Sequence, residues 1–418
     1  MIRLLKEKIR KKLISEYRRL FADESIEENE LKGLIRSMAE DIISRENPAV
    51  SQEDAGRIIS EIIDEFMGFG PIEGILHDVS ITEIMINGPK KIYIERNGRT
   101  ELSNIVFDDE QQVMHLVDKI LLPTRRHVDE ASPYTDVSLK DGSRVNIVIP
   151  PLALDGPIIT IRKFLKDIKA VEDLHKLGTC DTRISDFLIA CIKAKVNIVF
   201  AGATGAGKTT TLNVLSSYIS NDARIVTIED TAELRLNQDH VVRLEAKQAN
   251  IEGKGEITIR ELFKNSLRMR PDRIILGEIR GVEALDMLQA ICSGHTGSLA
   301  VIHADSPQDV IYRLETMILT SGVQVSLEAI HRQIAAALNI IVQQEQLVDG
   351  SRKVTHVSQV NGLHDGKVVV EDLFLYTIEH IDPHTSVVKG HWEYTGTKPA
   401  FAQKFRKENI ALSEGIFK

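Results

Sequence analysis

The segment GATGAGKTT, residues 202–210, combines residue types that can hold phosphate. Glycine lets the backbone turn so that successive N–H groups face one anion. A helix that begins at the end of such a loop adds the positive end of its dipole, a lysine reaches phosphate oxygens, and a threonine hydroxyl binds Mg²⁺. We therefore predict a phosphate-binding loop, or P-loop, composed of Gly202, Ala203, Thr204, Gly205, Ala206, Gly207, Lys208, Thr209 and Thr210.

Carboxylates follow at positions from which they could act on a bound phosphate. The segment TIEDTAEL places Glu229, Asp230 and Glu233 at the end of a predicted strand, and GEIRG places Glu278 at the end of another. Ligands gather at the carboxyl ends of strands in an open α/β sheet, so one of these carboxylates could orient an attacking water. Glu278 could hold a Mg²⁺-bound water, and Gly277 would let the backbone approach a ligand closely. Asp230 could equally cap a turn.

Two histidines flank a later run, SGHTGSLAVIHA. A single histidine is more often packed and hydrogen-bonded than functional, and the sequence offers no third ligand for a metal site. His303, at the carboxyl end of the run, is predicted to sense the γ-phosphate of a nucleotide. His295, which precedes the run, is predicted to be a turn residue that could also contribute to catalysis.

A mainly parallel sheet is required to bring these residues together. Short β-branched runs alternate with helical stretches, which is typical of buried parallel strands. Three further runs are separated by Asp-Gly pairs, which favour hairpins. The sequence thus predicts an α/β domain over residues 166–418 with an antiparallel extension at its end. The parallel runs cover residues 196–200, 224–229, 273–279 and 298–304, and the later runs cover 339–346, 353–360 and 366–378.

Two smaller segments precede this domain. Residues 69–165 alternate apolar and polar positions around Asn-Gly and Asp-Gly turns and contain one helical pattern, which predicts an α+β domain. Residues 1–68 carry three amphipathic helical patterns and predict a short all-α unit of three helices. The first pattern, residues 1–20, is strongly basic. It is either the first helix of a small bundle or a helix that rests on an anionic membrane surface.

Composition limits the classes of protein to which the chain can belong. The chain has 418 residues, 43% of them hydrophobic, and a formal net charge of −9. Because nucleic-acid binding needs a concentrated basic face, we expect no nucleic-acid partner. The three cysteines show neither a CxxC pair nor the spacing of a metal site, and no secretory signal is evident at the start, which predicts a cytoplasmic protein.

Four motifs together resemble one family. GATGAGKTT, TIEDTAELRL, RPDRIILGEIRG and SGHTGSLAVIHA are similar, in order and spacing, to the Walker A, Asp box, atypical Walker B and His box of the type II/type IV secretion ATPases. The segments FGPIEGILHDVSITEIMINGPKKIYIE and DGSRVNIVIPPLALDGPIITIRKF resemble the narrower tight-adherence (Tad/Flp) pilus branch, the CpaF-type ATPases. The resemblance runs from about residue 65 to the end of the chain.

The resemblance implies a homohexameric ring that hydrolyses ATP to ADP with Mg²⁺ at the cytoplasmic face of the inner membrane. Each subunit would have a RecA-like ATPase domain preceded by a PAS-like α+β domain, and the ring would act on membrane-embedded platform proteins. The resemblance makes Glu233 the general base and Glu278 the Walker B carboxylate. The expected Mg²⁺ contacts are Thr209, Glu278 through a water, and Glu229. No zinc is expected, because the tetracysteine motif of some relatives is absent.

The resemblance also assigns two arginines of the α+β domain to the γ-phosphate, Arg144 of DGSRV and Arg162 of TIRKF. They could act in their own subunit or in a neighbouring one. The alternative is a pair of salt bridges on a sheet face.

Three functions are compatible with this pattern of residues. The first is a motor for pilus assembly or protein secretion. The second is a DNA-transfer or translocase ATPase on the same fold, and the third is a scaffold that binds nucleotide without hydrolysing it. The negative net charge disfavours the second, and Lys208, Glu233 and Glu278 disfavour the third.

Overall fold

The structure is a computed structural model in which the chain divides into two compact units, Met1–Phe164 and Leu165–Lys418. The first unit therefore contains both the predicted helical unit and the predicted α+β domain. Within the described residues no helix is both long enough and apolar enough to cross a membrane. The described residues are 8, 9, 12, 13, 28–46, 50–124, 126–163, 168–247 and 254–417.

The first unit begins with helices that pack through their own apolar cluster. Helix α1 spans Glu28–Glu46 and helix α2 spans Gln52–Met67. The Ser51 side chain caps α2 by accepting a hydrogen bond from the Asp54 N–H, as the Ser-x-x-acid spacing indicates. The apolar stripe of each helix faces this cluster, which contains Ile35, Ala39, Ile42, Ile43, Ile58, Ile59 and Ile62.

Most of the predicted basic helix, residues 1–20, lies outside the described residues. Of that segment, Ile9 and Leu13 are buried in the cluster of helices α1 and α2, and Lys8 forms an ion pair with Glu46 at 2.5 Å. These contacts are the ones expected of the first helix of a bundle.

A six-stranded antiparallel sheet follows, with strands β1 Ile81–Asn87, β2 Lys91–Arg96, β3 Arg99–Leu102, β4 Tyr134–Ser138, β5 Arg144–Val148 and β6 Ile158–Arg162. Their order in the sheet is β3-β2-β1-β6-β5-β4. Asn97 and Gly98 both have positive φ in the two-residue turn between β2 and β3, as the Asn-Gly pair predicts. Helix α4, Glu110–Leu121, covers one face of this sheet with its apolar side. A short helix α3 spans Glu73–His77.

One lysine joins the helices of this unit to its sheet. The ammonium of Lys119, on α4, donates hydrogen bonds to the carbonyl oxygens of Glu65 at 2.5 Å and Gly68 at 2.6 Å, at the end of α2. Burial lowers the pKa of Lys119 to about 8. The ammonium thus satisfies carbonyl groups that a helix end leaves without partners.

The second unit contains a nine-stranded sheet. Its strands are β7 Ile198–Ala201, β8 Ile225–Glu229, β9 Val241–Glu245, β10 Arg273–Ile279, β11 Leu299–Ile302, β12 Ile340–Gln346, β13 Arg352–His364, β14 Lys367–Ile381 and β15 Val388–Tyr394. Their order in the sheet is β15-β14-β13-β12-β7-β11-β10-β8-β9. Strands β12, β7, β11, β10, β8 and β9 run parallel, and β13, β14 and β15 add an antiparallel extension.

Helices lie along the parallel part of this sheet, and apolar side chains fill both of its faces. Ile198 and Phe200 of β7 belong to one core cluster, whereas Val199 and Ala201 belong to another. Because successive residues of a strand point to opposite faces, a strand buried on both sides is apolar throughout. The helices are α5 Val171–Lys176, α6 Thr182–Lys193, α7 Lys208–Ser216, α8 Ile259–Ser266, α9 Glu283–Cys292, α10 Pro307–Leu319, α11 Leu327–Ala337 and α12 Ala402–Lys407.

Candidate phosphate-binding site

The P-loop connects a buried strand to a helix. Strand β7 ends at Ala201, and α7 begins at Lys208 with Gly207 as its N-cap. The three glycines of the loop, Gly202, Gly205 and Gly207, have φ values of 147°, 79° and 94°. Residues with a Cβ rarely adopt such values, so the glycines are required for this path of the backbone. The loop therefore ends at a helix N-terminus, which favours an anion.

Lys208 is held against the loop. Its side chain is only 6% exposed, and its ammonium donates a hydrogen bond to the Ala203 carbonyl at 2.7 Å. Thr209 and Thr210 follow in the first turn of α7. The cation and two hydroxyl groups thus belong to the same helical turn that closes the loop.

Glu278 and His303 form a pair on the neighbouring strands β10 and β11, and β11 is in turn adjacent to β7. Glu278 lies near the end of β10 and His303 directly follows β11, with 3.1 Å between Glu278 Oε1 and His303 Nε2. Burial acts to raise the pKa of Glu278, but hydrogen bonds from His303 and Arg280 hold it at about 2. An ionised carboxylate only accepts hydrogen bonds, so Nε2 of His303 carries the proton in this contact.

Arg280 joins the carboxylates of neighbouring strands. Its guanidinium lies 2.7 Å from Glu278 Oε2 and 3.3 Å from Asp230 Oδ2. Hydrogen bonding to Glu278 raises the pKa of Arg280, and the charges of Asp230 and Glu233 add to this effect. Arg280 is not among the residues predicted from the sequence, although it follows Glu278 by two residues in GEIRG. Asp230 thus contacts a cation rather than acting only as a turn cap.

Glu229 anchors the loop that carries Glu233. The Glu229 side chain is 2% exposed, and its Oε1 accepts hydrogen bonds from the backbone N–H groups of Glu233 at 2.8 Å and Leu234 at 2.9 Å. Burial raises the pKa of Glu229 to about 7. A Cβ added at Gly277 would lie 2.7 Å from Cγ of Glu229. The glycine makes room for this side chain; the expectation that Gly277 lets the backbone approach a ligand closely stays a prediction.

The strands that carry these groups are parallel neighbours, so their carboxyl ends meet at one edge of the sheet. A cleft of about 330 Å³ opens there, beside the P-loop. Its lining combines acidic, basic and aromatic side chains, and the residues that form it are Ala203, His303, Ala304, Asp305, Asp309, Tyr312, Arg313 and Thr316.

Comparisons with known proteins identify the family of the chain. The family model described as type II/IV secretion system protein matches residues 65–380. This chain belongs to that family. A Mycobacterium tuberculosis protein named for conjugal transfer is 33% identical over 300 residues, which are 70% of this chain and 85% of that protein. The type IV secretion system protein VirB11 of Brucella suis is 31% identical over 324 residues, or 71% of this chain and 85% of the relative.

A solved structure of the Brucella suis VirB11 ATPase, in complex with sulphate, matches with a TM-score of 0.38 and 28% identity. The match covers 71% of this chain and 94% of that one.

In this member of the secretion family, the two histidines lie at opposite edges of the parallel sheet. His295 precedes β11, whereas the P-loop and His303 follow the parallel strands β7 and β11. The His295 N–H donates to the Ala290 carbonyl at 3.0 Å, and its Nδ1 lies 3.2 Å from the same oxygen. The structure thus shows His295 as a turn residue at the end of α9 and does not bring it together with His303.

Arg144 and Arg162 belong to the first unit of this secretion family member. They are directly opposite each other on β5 and β6. The guanidinium of Arg162 also pairs with Glu83 on β1, with 2.6 Å between Nε and Oε1. The arginines are therefore cross-strand neighbours. Arg162 makes a salt bridge on the sheet face, which is the contact expected if it does not serve the γ-phosphate.

No group of three or more His, Cys, Asp or Glu side chains in the described residues is arranged to hold a metal ion. The expected Mg²⁺ contacts, Thr209, Glu278 and Glu229, remain predictions. Glu229 Oε1 accepts two backbone N–H groups, so this oxygen holds the loop that carries Glu233.

Proposed function

We propose that this chain is an ATP-hydrolysing motor that works as a homohexameric ring at the cytoplasmic face of the inner membrane. It would power assembly of a Tad/Flp pilus or protein secretion by acting on membrane-embedded platform proteins. One observation carries the proposal: the P-loop, the Glu278–His303 pair and the loop with Glu233 lie at the same edge of one parallel sheet. The resemblance of the α+β segment to the CpaF-type branch supports the narrower assignment to a pilus.

The residues present fit a nucleotide with Mg²⁺. The glycines give the P-loop a backbone that can turn its N–H groups toward phosphate. Lys208 and Thr209 would hold the phosphates and the metal ion. When bound, Mg-ATP supplies the γ-phosphoryl group that is transferred to water.

The two carboxylates suit different tasks. A group with a pKa of about 2 is a poor proton acceptor near neutral pH, so Glu278 is suited to orient a water or a metal-bound water. Glu233 is left to accept the proton of the attacking water, from a loop whose position is fixed by Glu229. His303 holds the carboxylate of Glu278 in place and would sense the γ-phosphate of a bound nucleotide.

In this proposal, Arg144 and Arg162 supply cations to the γ-phosphate, in their own subunit or in a neighbouring one. Phosphoryl transfer needs cations at the γ-phosphate, and a supplied arginine is worth roughly 10³- to 10⁵-fold in rate. Arg144 and Arg162 are on adjacent strands of the same sheet, so one rearrangement would move both. A ring could use that movement to couple hydrolysis to displacement of a partner.

A mixing experiment tests the motor. Glu278→Gln protein and Arg144→Ala/Arg162→Ala protein are each expected to lose ATP turnover, and the mixed rings are expected to recover part of it. Glu328→Gln and Arg57→Ala serve as matched controls, since both residues are exposed partners of surface ion pairs. Wild-type turnover by the Glu278→Gln protein would contradict the assignment of the site. No recovery in verified mixed rings would contradict arginines supplied by a neighbouring subunit.

A second candidate is a DNA-transfer ATPase, which the relative named for conjugal transfer favours. Its test is the effect of duplex DNA on ATP turnover at several salt concentrations, because DNA binding through phosphate contacts weakens steeply with salt. With a net charge of −9, we expect no stimulation and no salt-dependent binding. ATP turnover that is stimulated by DNA would favour the function of a DNA-transfer ATPase over that of a pilus motor.

A further inference from the structure

The hairpin formed by β12 and β13 packs against the P-loop at its glycines. A Cβ added at Gly202 would lie 2.0 Å from the backbone oxygen of Gln344, and one at Gly207 would lie 2.8 Å from Nε2 of Gln344. A Cβ at Gly205 would lie 3.6 Å from Oε1 of Gln346. The neighbouring hairpin therefore requires a glycine at position 202, where an added Cβ would meet backbone, whereas the 3.6 Å distance at Gly205 is an ordinary van der Waals contact.

Arg352 supplies the charged contact of this hairpin. Its Nε donates a hydrogen bond to the Gly205 carbonyl at 2.7 Å. Its Cδ would lie 3.4 Å from a Cβ at Gly207, and Gln346 is directly opposite Arg352 in the strand register. We call Gln344, Gln346 and Arg352 the hairpin brace.

The brace also reaches the helix that follows the loop. Gln344 is 2% exposed, and its Oε1 accepts a hydrogen bond from the Thr211 hydroxyl at 2.9 Å. Thr211 lies in the first turn of α7, directly after the P-loop residues. The brace therefore contacts both the loop and the first turn of α7.

The bond from Arg352 has a physical reason. A loop whose N–H groups converge on an anion turns carbonyl groups the other way, and those carbonyls need donors. A guanidinium is a strong donor because the bond is assisted by charge. Arg352 thus stabilises the Gly205 peptide in the orientation seen here.

We propose that Arg352 is a positioning residue for the P-loop. It acts through the Gly205 carbonyl and so prepares the loop for the phosphate chain of a nucleotide. The proposal rests on the proposed function, since it assumes that the loop binds nucleotide. Its role is distinct from that of Lys208, whose ammonium contacts the loop from its own helix.

The test uses the full chain and the fluorescent probe mant-ADP with Mg²⁺. Arg352→Gln is expected to weaken mant-ADP binding roughly 10- to 100-fold, the range for loss of a hydrogen bond to a charged group. Since the loop is prepared before chemistry, kcat at saturating ATP should stay within about twofold of wild type. Arg332→Gln is the matched control, because Arg332 pairs with Glu328 on the surface of α11.

The variant Arg352→Lys distinguishes the effect of the guanidinium hydrogen bond from the effect of the positive charge. Lysine keeps the positive charge but lacks the planar Nε donor, so binding should remain about fivefold or more below wild type in 0.5 M NaCl. Wild-type affinity in Arg352→Gln, or full recovery in Arg352→Lys, would overturn the proposal. If Arg352→Gln does not fold, the affinity of Arg352→Lys for mant-ADP in 0.5 M NaCl decides whether the proposal holds. If wild type and Arg332→Gln both fail to bind mant-ADP, the proposed nucleotide site itself fails.

Discussion

Replacing Glu229 by glutamine should change how the stability of the second unit depends on pH. Glutamine keeps an oxygen that can accept the N–H groups of Glu233 and Leu234 but cannot ionise. The wild-type carboxyl has an ordinary pKa of 4.5 when the chain is unfolded and a pKa of about 7 in the folded protein, because burial disfavours its charge.

The sign follows from the proton balance. Between these two pKa values the folded state holds a proton that the unfolded state has lost, so the free energy of unfolding falls as pH rises. Applied between pH 5 and pH 8, the two pKa values give a loss of about 2.5 kcal/mol for wild type. Glu229→Gln has no ionisable carboxyl at this position and does not lose this free energy. Its stability relative to wild type should therefore rise by about 2.5 kcal/mol over the same range.

The chain offers a selective reporter for this measurement. Its single tryptophan, Trp392, lies in the second unit, where its indole N–H donates to the Val354 carbonyl at 2.7 Å. Urea unfolding followed by tryptophan fluorescence gives the difference in free energy of unfolding between Glu229→Gln and wild type, once at pH 5 and once at pH 8. Glu328→Gln is the control, because that carboxylate is 65% exposed and should show no such change.

A difference between Glu229→Gln and wild type that stays constant from pH 5 to pH 8 would refute the reasoning. So would a variant that becomes relatively less stable at pH 8. Either result would mean that Glu229 stays charged in the folded protein and that burial is not what governs its proton.

Two further predictions concern the same unit. Gly277→Ala should lower the free energy of unfolding by about 1–3 kcal/mol in the tryptophan assay, because the added Cβ meets Cγ of Glu229 at 2.7 Å; an unchanged urea midpoint would contradict this. With the thiol reagent DTNB at pH 8, Cys292, which is exposed, should react first in the native protein. Burial raises the pKa of Cys180 to about 12 and that of Cys191 well above its ordinary value, so both should react only after denaturation.

The sequence allowed the parallel sheet and the polar residues at the carboxyl ends of its strands to be predicted because their signals are local. The P-loop has a motif, and Glu278 and His303 stand at the ends of apolar runs. Two strands were missed. Strand β9 is a half-exposed edge strand, and β15 alternates buried or half-buried positions with exposed ones, so neither reads as a buried apolar run.

The contacts within the site could not be predicted in the same way. The sequence places Glu229 and Glu233 near a strand end, but only the fold shows that one carboxylate holds the backbone of the other. Arg280 follows Glu278 by two residues, yet its bond to Asp230 depends on β8 and β10 being neighbours. The contact of Arg352 depends likewise on a strand distant in sequence packing beside the P-loop.

The hydrogen bonds of Lys119 connect the end of α2 to the sheet of the first unit. The ammonium donates to the carbonyls of Glu65 and Gly68, while its helix α4 packs on the sheet through its apolar side. A displacement of the end of α2 would therefore act on α4 and, through it, on the sheet whose strands carry Arg144 and Arg162. A partner that binds α1 and α2 would then influence those arginines through Lys119, and Lys119→Met would weaken this connection.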